Sequence, residues 1–290
     1  MQKTNLYSKV IAGTMTWGSW GKNFSTSKMA DLINYCLEIG ITTFDHADIY
    51  GAYENETAYG KAFLESKIDR CKIQLISKCG IQMMQGRDNV VKHYQYDTAY
   101  IIWSAEQSLR KLKTDYLDLF LLHRPSPLMD VDDIAEAIEK LRADGKIRNF
   151  GVSNFTSSQI AMLETKLPVS ANQIEFSLTH TNPMYDGTFD DCISKNRMAM
   201  AWSPLGTFFK EENDQNSRIV KLMESLEEKY NATKSQLVLA FIMAHPANVL
   251  PVVGTTLKDR LKDALKAAEI KLELQDWFLL LEASKGERVP

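Results

Sequence analysis

The chain has 290 residues and is 44% hydrophobic, enough to bury a large core, and at that length either two domains or one α/β barrel is expected. A formal charge of −3 gives no basic field, which argues against nucleic acid as a partner, and no apolar run approaches the roughly 20 residues that span a bilayer. The four cysteines, Cys36, Cys71, Cys79 and Cys192, form no CxxC pair and read as reduced thiols in a cytoplasmic protein.

Taken in chain order, short β-rich runs alternate with amphipathic stretches. The runs are VIAGTMTW (10–17), ITTFDHA (41–47), IQLISKC (73–79), YLDLFLLH (116–123), IRNFGVSN (147–154), ANQIEFS (171–177), MAWSPL (200–205) and NVLPVVG (248–254). Between them lie MADLINYCLEIG, AYIIWSAEQSLRKL, VDDIAEAIEKLRADG and QLVLAFIMAH, with apolar residues at three- and four-residue spacing. Ser25 and Ser27 precede the first helix and Thr156 to Ser158 the fifth as start signals; Gly40 and Gly145 are stop signals. No linker or charged tail divides the chain, so 1–290 is expected to be one domain. Eight strand–helix alternations predict a closed (β/α)8 barrel. The competing doubly wound fold lacks its usual GxGxxG turn here.

A barrel places chemistry at the C-terminal ends of its strands. The second run carries Asp45, with Tyr50 five residues later; the third ends near Lys78, the fourth in His123, and the fifth in Ser153 and Asn154. Gln173 lies on the sixth, and Trp202 and Ser203 on the seventh. A lysine after LIS and a histidine after LFLL are costly in a core unless paired. A phenol has a pKa near 10; a neighbouring ammonium lowers it, and a carboxylate can hold that ammonium charged. A histidine can orient a substrate oxygen. The set suits protonation of a carbonyl oxygen on which negative charge develops.

On TTFDHADIYG, LISKCG, LDLFLLHRP, GVSNF, ANQIE, AWSPLG and GTTLKDRLKDAL, in order and over nearly the whole length, the chain resembles the aldo-keto reductases. The resemblance implies a barrel that uses NADPH, with NADH possible, to reduce a small-molecule carbonyl substrate, and a monomer. It implies that Tyr50 is the general acid, that Lys78 and Asp45 tune it, and that His123 orients the carbonyl. It gives Ser153, Asn154 and Gln173 to the nicotinamide carboxamide, with Asp45 beside them, and Trp202 to the nicotinamide face. Ser203, Leu205 and Gly206 fall to the pyrophosphate, and Met15, Thr16 and Trp17 to the cofactor and substrate end of the first strand. Thr255, Thr256 and Arg260 fall to the adenosine phosphate. Gly254 stands where several relatives carry a phosphate-binding lysine, and Ala264 where many carry an asparagine; Arg260 favours NADPH. Trp17, with Tyr50 and His123, is expected to line the substrate pocket, ahead of Trp20.

Rival readings use the same residues. Asp45, His46, Asp48 and His123 suit a divalent metal by type, but on a regular strand His46 and Asp48 point away from Asp45, and an ammonium would repel the ion. A cofactor-binding regulatory or redox-sensing protein of the same fold, with little turnover, is the alternative to an enzyme. The long segment after the third run, with Met83, Met84, Tyr94 and Tyr96, is a candidate pocket wall or rim. Cys79 reads as a buried neutral thiol. Glu54 and Glu56 are expected in the turn and first turn of a helix, where acids are favoured.

Overall fold

The structure is a computed structural model that describes residues 6–290. In chain order its elements are β1 (Ile11–Gly13), α1 (Thr26–Glu38), β2 (Thr43–Asp45), α2 (Asn55–Ser66), β3 (Gln74–Cys79), β4 (Ile81–Gln82), β5 (His93–Tyr94), α3 (Thr98–Leu112) and β6 (Leu117–Leu122). There follow α4 (Val131–Ala143), β7 (Ile147–Ser153), α5 (Ser157–Leu163), β8 (Ala171–Glu175), α6 (Thr188–Ser194) and β9 (Met198–Trp202). The chain ends with α7 (Asp214–Tyr230), α8 (Lys234–Met243), β10 (Leu250–Val253), α9 (Lys258–Ala267) and α10 (Leu274–Lys285). Eight parallel strands close in the order β1-β10-β9-β8-β7-β6-β3-β2, the (β/α)8 barrel expected from the alternating pattern. Seven of the eight runs contain one of these strands whole; the seventh, 200–205, overlaps β9, which begins two residues earlier at Met198. The segment after β3 is no plain loop: β4 and β5 pair as an antiparallel hairpin at its base.

Of the start signals, Ser25 and Thr156 act as caps, whereas Ser27 lies inside α1 and Ser157 and Ser158 inside α5. Ser25 accepts a hydrogen bond from the Lys28 amide and caps α1. Thr156 and Gln159 form a reciprocal capping box on α5. Gly40 and Gly145, at φ 90° and 69°, take the left-handed conformation that ends α1 and α4.

Side chains alternate across a strand, so every second residue enters the barrel. The inner layer is made by Ile11, Ile76, Leu119, Leu121, Ala171, Met200, Leu250 and Val252. The larger core, with Phe44, Leu75, Phe120, Phe150 and Val152, lies between sheet and helices. Two positions after an inner-layer residue, the same face continues at the barrel mouth. Ile76 is thus followed by Lys78, Leu121 by His123, Ala171 by Gln173, Met200 by Trp202 and Val252 by Gly254. The strand period alone aims these residues at one place.

Candidate active site

Asp45 closes β2 and is buried. Lys78, on the neighbouring β3, is fully buried, which an ammonium tolerates only when its three donors are satisfied. Its Nζ donates to Asp45 Oδ2 at 2.8 Å, to the His46 carbonyl at 2.7 Å and to the Tyr50 hydroxyl at 3.2 Å. Gln173 Nε2 donates to the other Asp45 oxygen at 3.1 Å. His123 follows β6, its ring 6.1 Å from that of Tyr50 in an edge-on arrangement.

Asp45 and Tyr50 are five apart and would face opposite ways on one strand. The strand stops at Asp45, the Tyr50 amide bonds back to the Ala47 carbonyl, and Gly51, Ala52 and Tyr53 are all left-handed, at φ 60°, 54° and 74°. Two of the three are not glycine, a costly conformation that surrounding contacts must enforce. The Tyr53 hydroxyl accepts from the Met83 amide at 2.8 Å, and Lys111 Nζ donates to the Tyr53 carbonyl at 2.8 Å. Met83 and Tyr50 pack on the same small cluster with Ala47, Ile49 and Ile81. The hairpin therefore forms a wall beside the phenol.

Burial raises the pKa of Tyr50, and although Lys78 pulls it down, burial prevails. The ammonium acts in the expected direction but does not overcome burial, and the phenol keeps its proton. Burial alone would lower Lys78, yet Asp45 and Tyr50 outweigh it and hold the ammonium charged. Burial, then Lys78, Arg124 and Lys92, push His123 well below its usual range, so the ring is neutral and offers one N–H. Its buried Nδ1 has no partner among the described residues.

A second set of polar side chains continues from this group. Asn154, left-handed at φ 62°, donates through Nδ2 to Ser153 Oγ at 2.7 Å and accepts from Trp202 Nε1 at 2.9 Å. Ser153 Oγ donates to the Gln173 carbonyl at 2.9 Å. Ser203 and Gly206 are left-handed in the turn that also carries Leu205, and a Cβ at Gly206 would lie 2.0 Å from Thr179 Oγ1. Thr16 Oγ1 donates to the Gly254 carbonyl at 2.9 Å, joining the loops after β1 and β10; Met15 beside it is exposed. Thr255 and Thr256 lead into α9, which has no side-chain cap and carries Arg260 in its first turn. Ala264 is packed in the core.

Trp17 is not where the sequence reading put it. It is fully buried, 6.2 Å from the rings of both Phe44 and Tyr59. Its loop folds back, with the Trp17 amide on the Thr14 carbonyl and the Lys22 amide on Thr16, and this presents Trp20 instead, 6.2 Å from the Tyr50 ring. Both tryptophans sit in a loop without periodicity, so no local signal separates them. His46 and Asp48 point outward from the barrel. His46 Nδ1 is 2.8 Å from Thr14 Oγ1, and Asp48 meets the Tyr100 hydroxyl. Glu56 is in the first turn of α2 but fully buried, accepting from Ser77 Oγ at 2.6 Å. The missed signal was helical spacing: Glu56 shares one face with Tyr59, Gly60 and Phe63. Cys79 is a buried thiol that burial pushes well above its ordinary range. A surface cleft elsewhere, lined by Glu106, Arg110, Lys113, Asp115 and Lys146, holds a lysine already paired with Glu106 and Asp144.

The aldo/keto reductase family model matches residues 9–284; this chain belongs to the aldo-keto reductase family. It is 40% identical to the uncharacterized oxidoreductase YcsN of Bacillus subtilis, over 98% of this chain and 96% of the relative. It is 34% identical to a 6-dehydroglucose reductase of Agrobacterium fabrum over 100% of both chains. Among solved structures, an aldo/keto reductase from Klebsiella pneumoniae in complex with NADP and acetate superposes with a TM-score of 0.76 at 25% identity, covering 97% of this chain and 92% of that one. The chain is an oxidoreductase by family.

Proposed function

We propose that this protein reduces an aldehyde or ketone to an alcohol with NADPH, and that Tyr50 supplies the proton. The observation that carries this reading is the Lys78 ammonium, fully buried, with its three hydrogen bonds on Asp45, the His46 carbonyl and Tyr50.

The cofactor fits the residues present. Gln173 commits its amide N–H to Asp45 and leaves its carbonyl oxygen for a carboxamide donor. Trp202, tethered through Nε1 to Asn154, offers a flat face. The uncapped start of α9 and Arg260 suit a phosphate through N–H dipoles and a guanidinium. A Cβ at Gly254 would meet nothing within 4 Å, so the missing lysine leaves open space and Arg260 bears the preference for the 2′-phosphate. The solved relative in complex with NADP supports this choice.

When bound, the reduced nicotinamide supplies hydride to the carbonyl carbon. The neutral His123 donates its N–H to the carbonyl oxygen and fixes the approach. As charge builds on that oxygen, the Tyr50 O–H transfers its proton there, and the new phenolate is held by Lys78 until solvent reprotonates it. Asp45 keeps Lys78 charged and oriented throughout.

Tyr50→Phe keeps the ring and removes the proton. With a panel of aldehydes and quinones, and 6-dehydroglucose because a relative is named for it, kcat should fall by about 10²–10⁴-fold. NADPH binding, read by fluorescence, should be retained. Equal turnover by both proteins removes Tyr50 as the acid; NADPH binding without turnover of any carbonyl favours a regulatory role. The same assay with NADH should give the lower kcat/KM.

A further inference from the structure

Directly after His123, the chain places a cation that the reaction above does not use. Arg124 is pinned through its backbone: its amide donates to the Tyr96 hydroxyl at 3.2 Å, and that hydroxyl donates to the Arg124 carbonyl at 2.5 Å. Tyr96 is itself buried, packed where a Cβ on Gly80 would come within 2.1 Å of its ring. The guanidinium lies 5.3 Å from the centre of the Trp202 ring. Among the described residues it has no hydrogen-bond or ion-pair partner. Lys92, in the hairpin between β4 and β5, also has no ion-pair partner among them.

The two cations come from different loops, and both act on His123. The charges that lower its pKa are all positive: Lys78, Arg124 and Lys92. Arg124 also acts on Tyr50. Lys78 is neutralised by Asp45, which leaves two cations at the mouth without a counter-ion among the described residues. A guanidinium held by its backbone with its N–H groups unclaimed is built to take a carboxylate or phosphate in paired hydrogen bonds.

We propose that the substrate is a carbonyl compound carrying an anionic group, and that Arg124, assisted by Lys92, binds that group while Tyr50 and His123 hold the carbonyl oxygen. This rests on the carbonyl-reductase reading and assigns the substrate class of the same site. The anionic group is unchanged in the reaction; Arg124 is a specificity residue, separate from proton and hydride transfer.

The test uses matched pairs with NADPH: 4-carboxybenzaldehyde against 4-formylbenzamide, and glyceraldehyde 3-phosphate against glyceraldehyde. At least one anionic member should exceed its neutral partner by about tenfold or more in kcat/KM, chiefly through KM, and the better pair identifies carboxylate or phosphate. In Arg124→Gln that ratio should collapse toward one, and in Lys92→Gln it should fall part of the way. The preference should also decline as ionic strength rises. Equal handling of both members of each pair by the wild type overturns the proposal. So does a loss in Arg124→Gln that is the same for both members, or that shows instead as weaker NADPH binding. If no carbonyl is reduced, the carbonyl-reductase reading fails by itself. Calorimetry of 4-(hydroxymethyl)benzoate against 4-(hydroxymethyl)benzamide, and of glycerol 3-phosphate against glycerol, on the NADP⁺-loaded protein then decides the anion preference separately. Tighter binding of an anion, lost in Arg124→Gln, supports it; equal binding within both pairs overturns it.

Discussion

Lys78 shows how one residue couples stability to chemistry. Its charge is tolerated in the barrel because Asp45 faces it at 2.8 Å. Lys78→Met removes the ammonium and leaves that carboxylate buried without its counter-charge, a loss of about 3–5 kcal/mol. Adding Asp45→Asn should recover much of it, because a neutral amide is easier to bury. Denaturant midpoints of the two single variants and the double variant read the coupling directly. Neither Lys78 nor His123 was hard to find: each is a polar residue on the inward parity of an apolar strand. Arg124 escaped notice, and so did the burial of Glu56, because a charged residue in a loop or first helix turn is usually solvated. Only neighbours distant in sequence tell the buried from the free. Trp17 and Trp20 exchanged roles for the same reason.

At the scale of elements, the Tyr50 turn depends on α2, and α2 on its fit to α3. A Cβ on Gly60 would stand 1.9 Å from the Lys111 carbonyl oxygen, backbone that cannot move aside alone. Gly60→Ala should therefore cost about 1–3 kcal/mol by overpacking, the usual range for such insertions. It should also lower kcat by disturbing the turn that Lys111 holds through Tyr53. Urea unfolding and steady-state rates on the same preparation check both effects. The four helices named from their spacing and the eight barrel strands were legible because hydrophobic period is a local property. The β4–β5 hairpin was not, because two-residue strands leave too short a pattern to read.

For the whole molecule, buried titratable groups set opposing pH dependences. Burial, then Glu56, raises Asp48 to about 7 against an ordinary 3.8, partly countered by Arg87 and Tyr100. The fold thus binds this proton more tightly than the unfolded chain, and the stability it contributes is full below about pH 4 and lost as pH rises to about 7. Burial, then Lys78, lowers His46 to about 3 from 6.5, so its contribution is full above pH 6.5 and lost as pH falls toward 3. The two offset each other in wild type. Asp48→Asn removes one, so its stability relative to wild type should climb between pH 4 and 7 by up to ~1.4 kcal/mol per unit, then level off. Unfolding midpoints across that range measure it; a constant difference shows that Asp48 is ionised in the fold throughout. The sequence by itself determined the barrel and the group of residues at its mouth, because strand parity and segment order are written along the chain. Only the tertiary structure decided which tryptophan faces Tyr50, that Asp48 and Glu56 are buried, and that Arg124 has no counter-ion among the described residues. Burial and charge pairing depend on what other segments bring to the same point in space.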